Sequence, residues 1–160
     1  MHVLLFDIDG TLIRGFGVGR LALERAFEEI FCVAAVENPA VREVSFNGRT
    51  DPHIVADMAR ALGIPDDRMA SRQEDFDECY LRHLVTTTHE SPNKEPCPGV
   101  LELLESLHHR EDVLLGLLTG NMDLGARVTL APFYMNGYCP FGGFGYAGPD
   151  RRAVAARARL

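Results

Sequence analysis

Two aspartates at the end of a short apolar run are the residues of this sequence whose types and spacing best suit chemistry. The run Val-Leu-Leu-Phe at 3–6 leads into Asp7 and Asp9, and Gly10 follows. Two close carboxylates repel each other, and burial raises that cost. A divalent cation offsets both, and Mg²⁺ is the usual choice where few carboxylates meet a phosphate. The pair therefore indicates phosphoryl chemistry, although Asp-Gly alone is more typical of a plain turn.

The chemistry available to two such carboxylates is nucleophilic and acid–base catalysis. A carboxylate can attack phosphorus and form an aspartyl-phosphate. A second carboxylate nearby can protonate the leaving oxygen and later deprotonate water. Gly10 lets the backbone approach a ligand closely, and its amide is expected to face phosphate oxygens.

A second polar cluster follows the next apolar segment, "DVLLGLLTGN" at 112–121, and contains Thr119 and Asn121. In open α/β sheets, ligands bind outside the carboxyl ends of the strands. We therefore expect the two polar clusters to converge in one cleft.

The elements around these clusters alternate in the way expected of an α/β protein. The apolar run at 3–6 predicts a strand covered on both faces, as in a parallel sheet. Residues 15–90 read as helical, and the proline-rich segment 91–100 reads as a connector. The pattern predicts helices at 18–31, about 52–62, about 67–88, from about 100 to 107 and 123–131, and strands within 112–121 and near 139–144. This order predicts a parallel sheet with a helical domain inserted after the first strand.

Several segments resemble the haloacid dehalogenase-like hydrolases. "FDIDGTLI" at 6–13 resembles the first motif of that superfamily, and "LLTGN" at 117–121 resembles the second. "FNGRTDPHIV" at 46–55 and "PCPGVLELLESL" at 96–107 resemble a cap loop and the return from cap to core. The resemblance implies a Rossmann-like core of residues 1–14 and 95–160 and an all-helical C1-type cap of residues 15–94, as in phosphoglycolate phosphatases.

The resemblance also implies roles for individual residues. Asp7 would be the nucleophile and a magnesium ligand, and Asp9 the general acid/base, with its backbone carbonyl on the metal. The phosphate would lie against Gly10, Thr11, Thr119, Gly120 and Asn121. Because true dehalogenases lack the second Asp, the resemblance favours a Mg²⁺-dependent phosphatase acting on a small phosphorylated metabolite, and phosphomutase activity stays open.

Two further motifs of the superfamily match less well. The third is a Lys or Arg; no lysine follows Lys94, so Arg151 or Arg152 would serve, and the resemblance favours Arg151 because it follows an aspartate. A solvated helix start is the alternative interpretation of both arginines. The fourth, an acidic loop, is absent, because no acidic residue follows Asp150. We therefore expect a core that is incomplete after its third strand. The alternative hypothesis is a catalytically weak or inactive fragment that self-associates through its exposed first strand.

Arg49 and a glycine-rich segment are weaker candidates. Arg49 lies in the cap loop, where it would suit a second anionic group on the substrate, although a surface arginine is the commoner interpretation. "GFGYAG" at 143–148 has the spacing of a dinucleotide fingerprint. It lacks the acidic residue expected about 20 positions later and is interpreted as a flexible loop beside the active site.

Composition limits the partners and the compartment. The net charge of −7 and the pI near 5.3 argue against nucleic acid and anionic membranes as partners. The four cysteines form no Cys-x-x-Cys pair, so we expect reduced thiols in a cytoplasmic protein. The first apolar run is interrupted by Asp7, so it predicts neither a signal peptide nor a membrane span.

Overall fold

A parallel sheet of three strands lies at the centre of the fold. The computed structural model describes residues 1–15, 17–91, 93–147 and 154–155. Its strands β1 (His2–Phe6), β4 (Val113–Leu118) and β5 (Phe141–Gly143) pair in the order β1-β4-β5. Both pairs are parallel, so the carboxyl ends of all three strands meet at one edge of the sheet.

The strand register determines which residues share that edge. Phe6 pairs with Leu117, so Asp7, the first residue after β1, lies level with Leu118, the last residue of β4. Gly116 of β4 lies beneath the ring of Phe141, where a Cβ atom would come within 2.5 Å of ring carbon Cε2. A side chain at this position would therefore displace the Phe141 ring from β4.

Helices α6 (Val100–His108) and α7 (Asp123–Leu130) pack with the sheet in one hydrophobic core. Two 3₁₀ turns at 131–133 and 135–137 follow α7. The buried members of this core are Ile8, Leu12, Ile13, Leu104, Leu115, Leu117, Ala126, Leu130, Met135 and Cys139. On the opposite side of β1 and β4, Val3 is 43% exposed, and Leu5 and Leu114 are each 37% exposed.

Residues 17–91 contain five helices, which together we call the helical layer. It contains α1 (Val18–Phe31), α2 (Pro39–Arg42), α3 (Asp51–Ala61), α4 (Asp66–Ser71) and α5 (Gln73–Glu90). Its core is centred on three phenylalanines, and the rings of Phe27 and Phe76 lie 4.6 Å apart. Because α1 and α5 bury their apolar faces against each other, the layer has a core separate from that of the sheet.

Two short strands join the helical layer to the sheet. Strands β2 (Ile13–Arg14) and β3 (Glu95–Pro96) pair in antiparallel orientation, with Ile13 opposite Pro96 and Arg14 opposite Glu95. We call this pair the crossing ribbon, because the chain leaves the sheet along β2 and returns along β3. The amide of Cys97 also donates to the carbonyl of Leu12 at 3.0 Å.

The predicted α/β fold is confirmed, with corrections in detail. The prediction that the first strand is covered on both faces is wrong: Val3, Leu4 and Leu5 are 43%, 36% and 37% exposed, because β1 lies at an edge of the sheet among the described residues. The single helix predicted over about 67–88 is wrong, because α4 and α5 are separated at Arg72, which has φ −122°. No glycine or proline marks this break. The crossing ribbon and α2 were not predicted. The division into residues 1–14, 15–94 and 95–160 stays a prediction. The described part of the chain contains no helix with the length and hydrophobicity needed to cross a membrane.

Candidate active site

The turn after β1 carries Asp7 and Asp9. Ile8, between them, is fully buried, and its carbonyl accepts the amides of Leu12 at 2.9 Å and Ile13 at 3.0 Å. The Ile8 amide donates to Oδ1 of Asp7 at 2.9 Å, which orients that carboxylate. Ile8 is buried, whereas Asp7 is half-buried and Asp9 is exposed, so the turn buries the side chain between the two aspartates and leaves theirs nearer the surface.

Gly10 makes this turn possible through its backbone conformation. Its φ of 78° lies in the left-handed region, which favours glycine. Its amide donates to the carbonyl of Ile13 at 2.8 Å, so the amide is used inside the turn. This corrects the expectation that the amide faces a phosphate oxygen. No atom outside its chain neighbours lies within 4 Å of a Cβ built on Gly10, so the space beside it is open to a ligand.

The loop after β4 holds Thr119 and Asn121 in a fixed arrangement. Thr119 is buried, and its hydroxyl donates to Oδ1 of Asn121 at 2.5 Å and accepts the Asn121 amide at 3.2 Å. The Thr119 amide donates to the carbonyl of Gly143 in β5 at 3.1 Å. The predicted phosphate-binding hydroxyl is therefore held at the carboxyl end of the sheet by its own loop.

The helical layer docks directly on this loop. The amide of Asp51 donates to the carbonyl of Gly120 at 2.8 Å, and the amide of Met122 donates to Oδ2 of Asp51 at 2.9 Å. A Cβ atom on Gly120 would lie 2.1 Å from the carbonyl oxygen of Arg49. A Cβ atom on Gly145 would lie 2.2 Å from the carbonyl oxygen of Gly120. Residues 49–52, 119–122 and 143–145 thus form a three-loop contact that excludes side chains at two glycines.

Asp51 is the carboxylate inside the three-loop contact. Its side chain is buried, and burial raises its pKa to about 7. The negative charge of Asp9 acts in the same direction, and the hydrogen bond from the Met122 amide opposes it. Asp51 is therefore close enough to Asp9 for its charge to depend on what Asp9 binds.

A cleft of about 380 Å³ opens between the sheet edge and the helical layer. Four predicted site residues line it: Asp9, Arg49, Gly120 and Asn121. Asp7, Gly10, Thr11 and Thr119 are not part of its lining, although they lie on the two loops that bound it. Arg151 and Arg152 lie outside the described residues. Gly143 to Ala147 are the described part of "GFGYAG". This segment lies next to the cleft because Gly145 packs against the carbonyl of Gly120 in the three-loop contact.

Arg49 reaches the cleft but is paired within the protein. Its guanidinium contacts Asp57 of α3 at 2.5 Å, and Asp57 also binds Arg60. These two hydrogen bonds lower the pKa of Asp57, that from Arg49 most. The prediction that Arg49 binds a second anionic group stays a prediction, and such a group would compete with Asp57.

Several cleft residues were missed by sequence reasoning, among them Asp51, Tyr80 and Lys94. The sequence pattern places Tyr80 on an apolar helix face; its side chain is buried, and burial raises its pKa. Asp51 lies two positions after Arg49, in the predicted cap loop, but no pattern separates it from an ordinary helix start. The signal for Lys94 was that it is the only lysine in the chain.

Another group of potential metal ligands, Glu29, Cys79 and His83, lies in the helical layer between α1 and α5. The Glu29 carboxylate is already paired within the protein, because it accepts a hydrogen bond from Arg82 at 2.7 Å and contacts Nε2 of His83 at 3.0 Å. The Arg82 hydrogen bond is the main cause that lowers the pKa of Glu29 to about 2. We interpret this group as an ion-pair cluster that ties α5 to α1.

Comparison with known proteins identifies the fold. No family model matches the sequence, and no curated protein matches it significantly. A haloacid dehalogenase-like family hydrolase from Streptococcus pneumoniae superimposes with a TM-score of 0.60 and 15% identity, over 97% of this chain and 67% of that one. Proteins named as phosphoglycolate phosphatases from Lactobacillus plantarum and Haemophilus somnus give TM-scores of 0.53 and 0.52.

These two superpositions have identities of 20% and 19%, and they cover 93% and 92% of this chain. Each covers 64% of the other protein. The chain thus has the fold seen in haloacid dehalogenase-like hydrolases and spans about two thirds of the length of these structures.

Proposed function

We propose that this chain is a phosphatase that hydrolyses a small phosphomonoester through an aspartyl-phosphate on Asp7. The observation that carries the proposal is the position of Asp7 and Asp9 on the turn after β1, at the same sheet edge as Thr119 after β4. The fold supports the assignment, because solved structures with the same fold include a hydrolase and proteins named as phosphatases.

Asp7 and Asp9 divide the chemistry between them. The Asp7 carboxylate, oriented by the Ile8 amide, attacks phosphorus in line with the leaving oxygen. Asp9 lines the cleft, so it donates a proton to the leaving alkoxide and then accepts one from the water that hydrolyses the aspartyl-phosphate. Thr119 donates its hydroxyl hydrogen to a phosphoryl oxygen after exchanging its present Asn121 acceptor.

The donors on the turn after β1 fit a hard divalent cation such as Mg²⁺. The Asp7 carboxylate and the backbone carbonyl of Asp9 are oxygen ligands of the kind that Mg²⁺ accepts alongside a phosphate. When bound, the cation would neutralise the charge that gathers on the phosphoryl oxygens. The Asp7 carboxylate and the Asp9 carbonyl would hold the cation, and the open space beside Gly10 leaves room for the phosphoryl group.

The helical layer closes one side of the cleft and is the natural source of substrate selection. It contributes Arg20, Asn47, Arg49, Asp51 and Tyr80 to the cleft. A wall of this kind excludes water from the reacting groups and chooses among leaving groups by shape and charge. The substrate is therefore expected to be a small phosphorylated metabolite.

Replacement of the nucleophile tests the proposal. Asp7→Asn should lower magnesium-dependent release of p-nitrophenol from p-nitrophenyl phosphate by about 10³-fold or more, because an amide cannot form the acyl phosphate. Asp112→Asn is the matched control: Asp112 lies at the opposite end of the sheet, is exposed and pairs with Arg110. Activity of this control should stay within about twofold of the wild type.

Equal activity of the wild type and Asp7→Asn would refute the assignment of the nucleophile. A wild-type chain that folds but releases no product with Mg²⁺ would instead favour the hypothesis of a catalytically weak chain. An acyl phosphate trapped on Asp7, reduced with borohydride and located by mass spectrometry, would distinguish hydrolysis through an aspartyl-phosphate from direct hydrolysis by a metal-activated water.

A further inference from the structure

The crossing ribbon carries the only lysine of the chain into the cleft. Lys94 directly precedes β3, and the ribbon register places it opposite Gly15. A Cβ atom on Gly15 would lie 2.8 Å from Cα of Lys94 and 3.1 Å from its Cγ, and Gly15 has φ 138°. Because glycine permits this close approach, the backbone of Lys94 is held firmly against the segment that leaves the sheet.

The Lys94 side chain lies within electrostatic range of Asp9. It is half-buried and lines the same cleft as Asp9, Gly120 and Asn121. Burial lowers the pKa of Lys94, and the negative charge of Asp9 opposes that change. An ammonium group taken partly out of water needs an anion nearby to offset its loss of hydration.

The two arginines that share the cleft already have partners in the protein. Arg20 donates to the carbonyls of Val41 at 2.9 Å and Val44 at 2.6 Å, and its guanidinium lies 4.1 Å from the centre of the Phe46 ring. Arg49 is paired with Asp57. Lys94 makes no hydrogen bond or ion pair of 4 Å or less with any residue that the structure describes.

We propose that Lys94 binds an oxyanion of the substrate on the Asp9 side of the cleft. The inference rests on the proposed phosphatase function and adds to it a binding residue that lies before the second apolar strand. The oxyanion has two sources: a non-bridging oxygen of the phosphoryl group, or an acid group on the leaving alcohol. Both place negative charge beside Asp9, where the ammonium donates a charge-assisted hydrogen bond.

A single lysine permits a direct test that does not depend on turnover. Protein labelled with [ε-¹⁵N]lysine has one side-chain ammonium signal, that of Lys94. Inorganic phosphate with Mg²⁺ should shift this signal in a saturable way if the phosphoryl oxygen is the partner. Lactate, a small carboxylate without phosphate, should do so if the acid group of the leaving alcohol is the partner. Sodium chloride at equal ionic strength is the control, and it should leave the signal unchanged.

Substitutions measure the contribution of the ammonium. Lys94→Met should weaken binding of the anion that shifts the signal by about tenfold or more, the size of one charge-assisted hydrogen bond. Lys94→Arg should retain part of that affinity. Arg14→Met is the matched control, because Arg14 lies on the same ribbon but is exposed and paired with Glu95 at 2.7 Å. Its anion affinity should stay within about twofold of the wild type.

The two possible failures can be told apart. A Lys94 signal that responds to neither phosphate nor lactate would overturn the inference, whatever the enzyme does. Anion affinities of Lys94→Met and wild type that agree within about twofold would overturn it as well. A saturable shift in a chain that hydrolyses no phosphomonoester would leave the oxyanion site standing and refute the proposed phosphatase function.

Discussion

Asp51 joins the helical layer to the sheet through both its backbone and its carboxylate. Its amide binds Gly120, and its Oδ2 accepts the Met122 amide, so one residue holds two positions of the loop after β4. The carboxylate is buried beside a second acid, which makes its ionisation costly. The contact that closes the cleft is therefore sensitive to the protonation of a single side chain.

Replacing Asp51 should change how stability depends on pH. The folded-state pKa of about 7 lies above the ordinary aspartate value of 3.8, so between these values the folded protein binds more protons than the unfolded chain. Wild-type stability then falls as pH rises through this window, by at most about 1.4 kcal/mol per pH unit. Asp51→Asn removes this titration and keeps an acceptor for the Met122 amide.

The stability difference between Asp51→Asn and the wild type should therefore grow in favour of the variant from about pH 4 to about pH 7 and level off above. Urea unfolding in EDTA at several pH values measures it, and titrations shared by both proteins cancel in the difference. A difference that does not change with pH would contradict the assignment of a raised pKa to Asp51.

At the residue scale, the sequence predicts site residues that lie close together in the chain and misses site residues that tertiary contacts bring together. Asp7 and Asp9 stand one residue apart after an apolar run, so local pattern alone indicates their site. Asp51 and Lys94 are far from them in sequence and meet Asp9 only because the helical layer folds back over the sheet edge. No local pattern carries that information.

At the scale of elements, glycines fix how closely loops approach in the three-loop contact. A Cβ atom added to Gly120 would meet a backbone oxygen, which cannot rotate away as a side chain would. Any larger residue must therefore separate the helical layer from the loop after β4. The same loop holds Thr119 and Asn121, so the separation also disturbs the phosphate side of the site.

Gly120→Ala should lower the free energy of unfolding by about 2 kcal/mol or more and reduce phosphatase activity, because overpacking displaces backbone. Gly19→Ala is the matched control. It lies in α1 with open space around its Cβ, and it should gain about 0.5–1 kcal/mol from helix propensity. Thermal and urea unfolding measure both. A Gly120→Ala protein as stable and active as the wild type would show that the three loops are not in contact in solution.

Helices with an apolar face that repeats over many residues were predicted correctly. Elements that form only by pairing with a distant segment of the chain were missed. Helix α1 coincides with the predicted 18–31, because its apolar face repeats along the whole helix. The crossing ribbon has only two residues per strand, and they pair across 81 positions of sequence, so neither strand is visible locally. The break at Arg72 has no residue type that would signal it.

At the scale of the whole molecule, β1 is an edge strand of the sheet that the described residues form, and it has an apolar face. Among the described residues it pairs only with β4, and Val3 is 43% exposed. An edge of this kind offers unpaired backbone groups to another chain. We therefore expect copies of this 160-residue chain to associate through β1 at micromolar to millimolar concentration.

Val3→Lys should reduce this association, because a charge on the open face of an edge strand opposes pairing. Leu101→Lys is the matched control: Leu101 is also 43% exposed but lies on α6. Sedimentation equilibrium over a concentration series measures the change. A wild-type chain that stays monomeric, or equal effects of the two substitutions, would contradict association through β1.

The position of Lys94 also bears on limited proteolysis. An endoprotease specific for lysine finds one bond in the chain, Lys94–Glu95, and divides it into residues 1–94 and 95–160. The first fragment keeps β1 and the entire helical layer, whereas the second keeps β4, β5, α6 and α7. One cut thus separates Asp7 from Thr119 along the chain while leaving every hydrogen bond of β1 to β4 in place. The rate of that cut reports how often the crossing ribbon opens.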